Sequence, residues 1–248
     1  MLTVNGFKIG EVFISAWQGF TNNILVLIAI PLAQITILFL TYIVVAFFMM
    51  FLHFFIFLFP VLLFIEIFIS LYFTLSLVRA SLYIERGETV TWEILKNDII
   101  ILIKFAAVFI IIGIVVSAIL ATVLIFLQLI LGANFFSASL IGLFTMIVAA
   151  VTTALFFPAP FIIADKKDVS IIDSLKKSFN IVSKNIPHAL IFAVVCLAIN
   201  IICSIPLAIG LIITVPISMI AAAIVYKKFE TVSAANIEKG NELGNTSN

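Results

Sequence analysis

The sequence predicts an all-α polytopic membrane protein, with six transmembrane helices and three cytoplasmic interfacial amphipathic helices. Three observations carry that prediction. First, the 248-residue chain is 65% hydrophobic and only 10% charged, with a mean hydropathy of +1.37; soluble domains lie near half apolar and a quarter charged. Second, its apolar runs continue past about 20 residues, enough to cross a hydrocarbon core about 30 Å thick as helix. Third, every basic residue falls on one side of a six-span path. Runs such as "IVVAFFMMFLHFFIFLF" lack the two-residue alternation that a barrel strand needs.

In chain order, "MLTVNGFKIGEVFISAWQGFTNN" spaces its apolar residues helically. It has neither the continuous apolar core nor the small-residue cleavage site of a signal peptide, so the first span is expected to stay in the mature protein. Six spans follow, at approximately 24–48, 55–80, 105–130, 138–163, 187–204 and 209–227. Nothing between Ile24 and Val78 is an obvious turn, and the first break is placed near Met50–His53. The spans form one transmembrane domain, 1–228, followed by a polar cytoplasmic tail, 229–248, expected to be disordered.

The charges fix the sidedness. Lys8 precedes the first span; Arg79, Arg86, Lys96 and Lys104 lie between the second and third. Five lysines from Lys166 to Lys184 separate the fourth from the fifth, and Lys227, Lys228 and Lys239 follow the sixth. The other three connections carry none of the 13 basic residues. The positive-inside rule assigns the charged side to the cytoplasm, which puts both termini there, as six spans require. Five or seven spans would scatter the same charges over both faces.

The stretch "ADKKDVSIIDSLKKSFNIVSKN", Ala164–Asn185, reads as an amphipathic helix. Ser170 and Asp173 form an S-x-x-D start, a hydroxyl cap with a carboxylate at the helix's positive end. Ile171, Ile172, Leu175, Phe179, Val182 and Ile186 recur at three- and four-residue steps, with Lys176, Lys177, Asn180, Ser183 and Lys184 largely opposite. Such a helix lies in the membrane interface with its lysines toward anionic headgroups. "KIGEVFISAWQGFTNNI" aligns on it without gaps at a shift of 162, and "ERGETVTWEILKND" at a shift of 80. A unit of an elbow helix plus a two-span hairpin is therefore expected three times, as repeats 7–80, 85–163 and 165–228. Lys96, Lys104, Lys176, Lys177 and Lys184 are the candidate headgroup contacts. Trp17 and Trp92, whose rings prefer the headgroup level, are the candidate interfacial anchors.

Within the spans Glu66 is the only acid, the candidate intramembrane polar site. Unpaired and ionised it would cost about 3 kcal/mol or more. It is read either as a proton- or cation-binding carboxyl in a transport path, or as a neutral acid bonded to Gln34, Gln128, Thr152 or Asn200. His53 and His188 fall on opposite faces and cannot share a metal. Cys196 and Cys203 stand about 10 Å apart along a helix, beyond disulfide reach. Pro31, Pro60, Pro158, Pro160, Pro206 and Pro216 sit in or beside spans, where proline kinks helices and frees carbonyls. No phosphate loop, zinc spacing or nucleophile elbow occurs, so no cofactor and no catalytic residue is expected. The formal net charge of +1 argues against nucleic acid as a partner.

"LFFPAPFIIADKKDVSIIDSLKKSFNIVSKN" and "TVPISMIAAAIVYKKFE", with Pro216 and Tyr226, resemble the YciC-like group of uncharacterised bacterial inner-membrane proteins. They are similar, more widely, to the membrane domain attached to some glycerophosphodiester phosphodiesterases. "SLVRASLYIERGETVTWEIL" looks like that set's first cytoplasmic loop. The resemblance implies a bacterial cytoplasmic membrane and this architecture. It carries no catalytic residue, because spans use up the chain. The expected role is non-enzymatic, with membrane lipids as partners and membrane or envelope organisation as the setting; the rival is a small-solute, lipid or ion transporter using Glu66.

Overall fold

The computed structural model describes residues 3–4, 7–51, 59–131, 135–166, 168–204 and 209–245. His53, Pro206 and Lys167 lie outside the described residues. A two-residue hairpin, β1 (Thr3–Val4) and β2 (Phe7–Lys8), leads into α1 (Ile9–Asn22) and α2 (Ile24–Phe51). Then come α3 (Phe59–Glu85), a 3-10 turn (Trp92–Leu95), α4 (Ile99–Leu131) and α5 (Phe135–Phe156). The chain continues through α6 (Pro158–Asp165), α7 (Ile171–Ser183), α8 (Ile186–Ser204) and α9 (Ile209–Asn245).

Among the described residues, five helices are long and apolar enough to cross a membrane: α2, α3, α4, α8 and α9. The expected fourth span, 138–163, is two helices divided at Phe157. The Phe157 amide still donates to the Thr153 carbonyl at 2.9 Å, but Pro158 has no N–H to continue the ladder. Proline is at home at the first position of a new helix, where that donor would be orphaned anyway, and there it starts α6. Pro31 and Pro216, by contrast, lie inside α2 and α9. Past its apolar part, α9 continues to Asn245. Extending a helix already nucleated by packing adds a bond per residue and avoids a new nucleus.

Packing is concentrated at one end of the bundle. Leu75, Val78 and Leu82 on α3, Phe105 and Val108 on α4, and Ile220, Val225 and Phe229 on α9 are buried. Toward the other end Phe39 on α2 and Phe64 on α3 are 62% and 68% exposed, which lipid tolerates and water would not. α9 packs on α1, α3 and α8. Ala221 and Ala223 on α9 and Ser76, Ala80 and Ser81 on α3 are buried small side chains, of the kind that lets helix backbones approach closely in lipid.

The packed end is also where the connections meet. The Val90 amide donates to Asn23 Oδ1 at 3.2 Å and Lys104 Nζ to the Val169 carbonyl at 3.2 Å. Arg86 pairs with Asp165. α1, the 3-10 turn and α7 are thereby gathered at one end.

Candidate functional site

α1 and α7 share a three-sided design. At about 100° per residue, the inward side of α7 carries Ser174, Ser178, Ile181 and Val182, all buried. A second side presents Ile172 and Phe179, 61% and 49% exposed. A third is polar, with Asp173, Asn180 and Lys184 exposed. In α1 the inward side is Val12, Ala16 and Phe20. The outward apolar side is Ile14 and Trp17, 61% and 52% exposed, and the polar side is Glu11, Ser15 and Gln18. A helix with one side on protein, one apolar and one polar belongs at the boundary of hydrocarbon and water. Each apolar side chain so placed gains about 1.5–3 kcal/mol over exposure to water.

This corrects the expected orientation of α7. Periodicity grouped Val182 with Ile172 and Phe179 on one apolar side. Val182 instead packs inward beside two serines, and Ser178 Oγ donates to the Leu155 carbonyl on α5 at 3.0 Å. The expected cap is present: the Asp173 amide donates to Ser170 Oγ at 3.1 Å. α1 has no such side-chain cap, and Lys8 there pairs with Glu11 at 3.3 Å.

The expected second elbow helix is a single 3-10 turn. Trp92 is 58% exposed while Ile94 is buried, so the outward and inward sides survive in miniature. Side chains from α3 hold it: Arg79 Nη1 donates to the Lys96 carbonyl at 3.0 Å and to Asn97 Oδ1 at 2.8 Å. Asn97 Nδ2 donates to Ser76 Oγ at 2.8 Å, and the Tyr72 hydroxyl bonds the Leu95 carbonyl. These bonds occupy backbone groups that a longer helix would use for itself. The preceding Gly87, at φ 74°, ends α3 in a Schellman turn, with the Glu88 amide donating to the Tyr83 carbonyl at 2.9 Å.

The five candidate lysines divide into two groups. Lys176 and Lys184 are exposed on α7, and Lys96 is 81% exposed beside Glu93 at 3.5 Å. Lys104 turns to the Val169 carbonyl, and Lys177 Nζ pairs with Glu230 at 2.6 Å. Those two serve the protein's own joints.

Lys177 belongs to an ionic latch that sequence periodicity did not reveal. Asp165, with its side chain 5% exposed, accepts from Arg86 and from Lys227 at 2.8 Å. Glu230 accepts from Lys166 at 3.0 Å and from Lys177 and Lys227. Lys166 and Lys177 share Glu230 Oε1, and this arrangement raises the Lys166 ammonium above its usual value. Tyr226, fully buried, stacks on Phe161 beneath the latch, with Lys227 Nζ 5.3 Å from its ring centre. The latch ties the ends of α3 and α6 to the middles of α7 and α9. The charge-rich tetrad after "PFII" was the available signal.

Four cavities accompany these elements. One of about 770 Å3 lies between α1, the end of α3 and α9, with Glu11, Gln18, Glu85 and Lys227 in its wall. One of about 510 Å3 lies under α7, against α4 and α5, and one of about 500 Å3 lies deeper in the bundle. A small one of about 260 Å3 adjoins the 3-10 turn. Glu66 is half-buried on α3, lines none of these four, and has no hydrogen bond or ion pair among the described residues. Of its four expected partners, Asn200 bonds Ser218 at 3.1 Å and Thr214 at 2.9 Å, and Gln128 is exposed. Cys196 and Cys203 are free thiols, and no group of three or more metal-ligating side chains occurs among the described residues. Comparison with family models, with curated proteins and with solved structures returns no match for this chain.

Proposed function

We propose that this is a non-enzymatic protein of a bacterial cytoplasmic membrane, with six spans and both termini in the cytoplasm. Its interfacial elements contact lipid headgroups and serve the organisation of the membrane or envelope. The observation that carries this reading is the three-sided design of α1 and α7. Such helices gain nothing from their outward Ile14, Trp17, Ile172 and Phe179 in water, and much at a lipid boundary.

Two further observations support the architecture. α5 and α6 together supply the apolar length of the expected fourth span, and all described basic clusters meet at the packed end. The threefold repeat is supported at its first and third copies by matching inward and outward positions. At the second copy the elbow is reduced to one turn. The resemblance to the YciC-like group belongs to the same reading.

Native mass spectrometry of the gently extracted protein tests the lipid reading. The wild type is expected to retain anionic lipid, and a K96Q/K176Q/K184Q variant to lose it. Equal retention by both sinks the proposal. Sidedness is tested separately, in a background with Cys196 and Cys203 replaced by alanine. A cysteine at Ala133 is expected to react with an impermeant thiol reagent from outside the cell.

A further inference from the structure

We infer that the groove beneath α7 is a binding site for one anionic phospholipid, its headgroup at Lys176 and Asn180 and one acyl chain running between α4 and α5 into the deeper cavity. This rests on the lipid reading above and names its site.

The two cavities are neighbours. The groove of about 510 Å3 has Leu175, Lys176, Phe179 and Asn180 of α7 on one wall, with Ile111 and Val115 of α4 facing them. The deeper cavity of about 500 Å3 reaches Phe109, Phe192 and Leu197. Ile112, Thr152 and Phe156 line both. The groove at the interfacial helix and the cavity in the middle of the bundle are therefore separated only by these side chains, which an entering acyl chain would displace.

The chemistry is graded from the groove to the cavity. The mouth offers an ammonium and an amide: Lys176 is exposed and has no ion pair among the described residues, while its neighbour Lys177 is committed to Glu230. The walls are apolar. At the deep end the polar side chains already satisfy one another. Asn200 Nδ2 donates to the Cys196 carbonyl at 2.8 Å and to Ser218 Oγ at 3.1 Å, while its Oδ1 accepts from Thr214. Nothing there calls for a polar ligand, and a hydrated solute would lose its water uncompensated. A helix from another chain, about 10–12 Å across, is too wide to pass between the packed α4 and α5. A slim flexible chain with an anionic head matches cation, walls and shape together. The headgroup gains from the lysine near the surface and the chain from each buried methylene.

The test titrates delipidated full-length protein with phosphatidylglycerol or phosphatidylcholine of identical chains, read by native mass spectrometry. The wild type is expected to bind one phosphatidylglycerol in preference. K176Q is expected to weaken that first binding about fivefold, the scale of one lysine beside an anionic headgroup, and K176R to restore it. I111W, which fills the groove from an exposed position, is expected to weaken both lipids. Because a tryptophan at 111 risks unfolding the bundle, wild-type protein is also cross-linked with phosphatidylglycerol carrying a photoreactive group at its chain end. Adducts in residues 112–116 and 152–157 support the inference, and adducts only elsewhere overturn it. If K176Q and I111W bind phosphatidylglycerol like wild type while K96Q/K184Q does not, the groove falls and the elbow reading stands. If none of the variants changes binding, both fall.

Discussion

Asn23 and Asn185, 162 positions apart in the chain, make the same hydrogen bonds at the same kind of joint. Each amide donates to the carbonyl three residues before, Phe20 at 3.1 Å and Val182 at 2.7 Å. Each side-chain Nδ2 donates to the carbonyl four before, Gly19 at 3.0 Å and Ile181 at 3.2 Å. Each backbone carbonyl accepts from the amide four ahead, Leu27 at 3.1 Å and Ala189 at 3.0 Å. One residue type thus closes the last turn of an amphipathic helix and opens the first turn of a helix long and apolar enough to cross a membrane. Replacing Asn185, 2% exposed, by alanine leaves the Ile181 carbonyl without its side-chain donor. N185A is expected to cost about 1–3 kcal/mol, read as a lower thermal midpoint in detergent. N23A is expected to behave alike, because it also strands the Val90 amide. Wild-type midpoints for both would remove the joint from the account of the fold.

Gly19 sets how closely α1 lies on α3. A Cβ there would meet the Ile84 side chain well inside contact distance. G19L is expected to lift α1 from the bundle and destabilise by about 1–3 kcal/mol, the usual scale of overpacking. G10L, at a glycine with nothing near its missing Cβ, is the control. Equal effects of the two variants would show that helix propensity, not packing, is being measured.

Asp165 is expected to be coupled to Lys227 rather than merely near it. Its carboxylate is almost wholly enclosed, while Lys227 is 24% exposed and Arg86 39%, so screening by water takes part of the pair's strength. A double-mutant cycle of D165N and K227Q is expected to give a coupling of about 1 kcal/mol. D165N alone is expected to cost more than K227Q, because it leaves two cations facing an amide. An additive cycle would reduce the latch to coincidence.

Much of this was legible in the sequence, and the failures have physical causes. Run length gave the five long apolar helices, because a bilayer demands length and apolarity of any helix that crosses it. It gave no division at Phe157, since proline kinks one membrane helix and starts another. The Ser170–Asp173 cap was readable because it is local. The inward side of α7 was not, because periodicity treats serine as facing water. Against a neighbouring helix in lipid, Ser174 and Ser178 are valuable for being small. "TWEIL" aligned with a helix but folded as one turn, since Arg79 and Tyr72 on α3 bond the Ile94 and Leu95 carbonyls.

Trp17 and Trp92 are the two tryptophans of the chain, so W92F and W17F each leave a single fluorophore. Both indoles are more than half exposed on outward sides and are expected at the headgroup level. Lipids brominated near the glycerol should quench each variant more than lipids brominated at the chain end. Quenching by aqueous acrylamide alone, with no response to brominated lipid, would place the elbows in water and defeat the interfacial reading.

The five lysines read alike from sequence are expected to separate in experiment. Lys104 holds the Val169 carbonyl at the entry to α7, and Lys177 holds Glu230 on α9. Lys96 and Lys184 stand outside any such joint, and the Lys96–Glu93 pair is too exposed to matter, at about 0–1 kcal/mol. K104Q and K177Q are each expected to lower the thermal midpoint by about 2–4 °C, the equivalent of roughly 1 kcal/mol in a chain this long. K96Q and K184Q are expected to stay within about 0.5 kcal/mol of wild type. They should lower only the retention of anionic lipid. The reverse ranking, with the outer lysines setting stability and the inner ones setting lipid retention, would mean that α7 faces the other way.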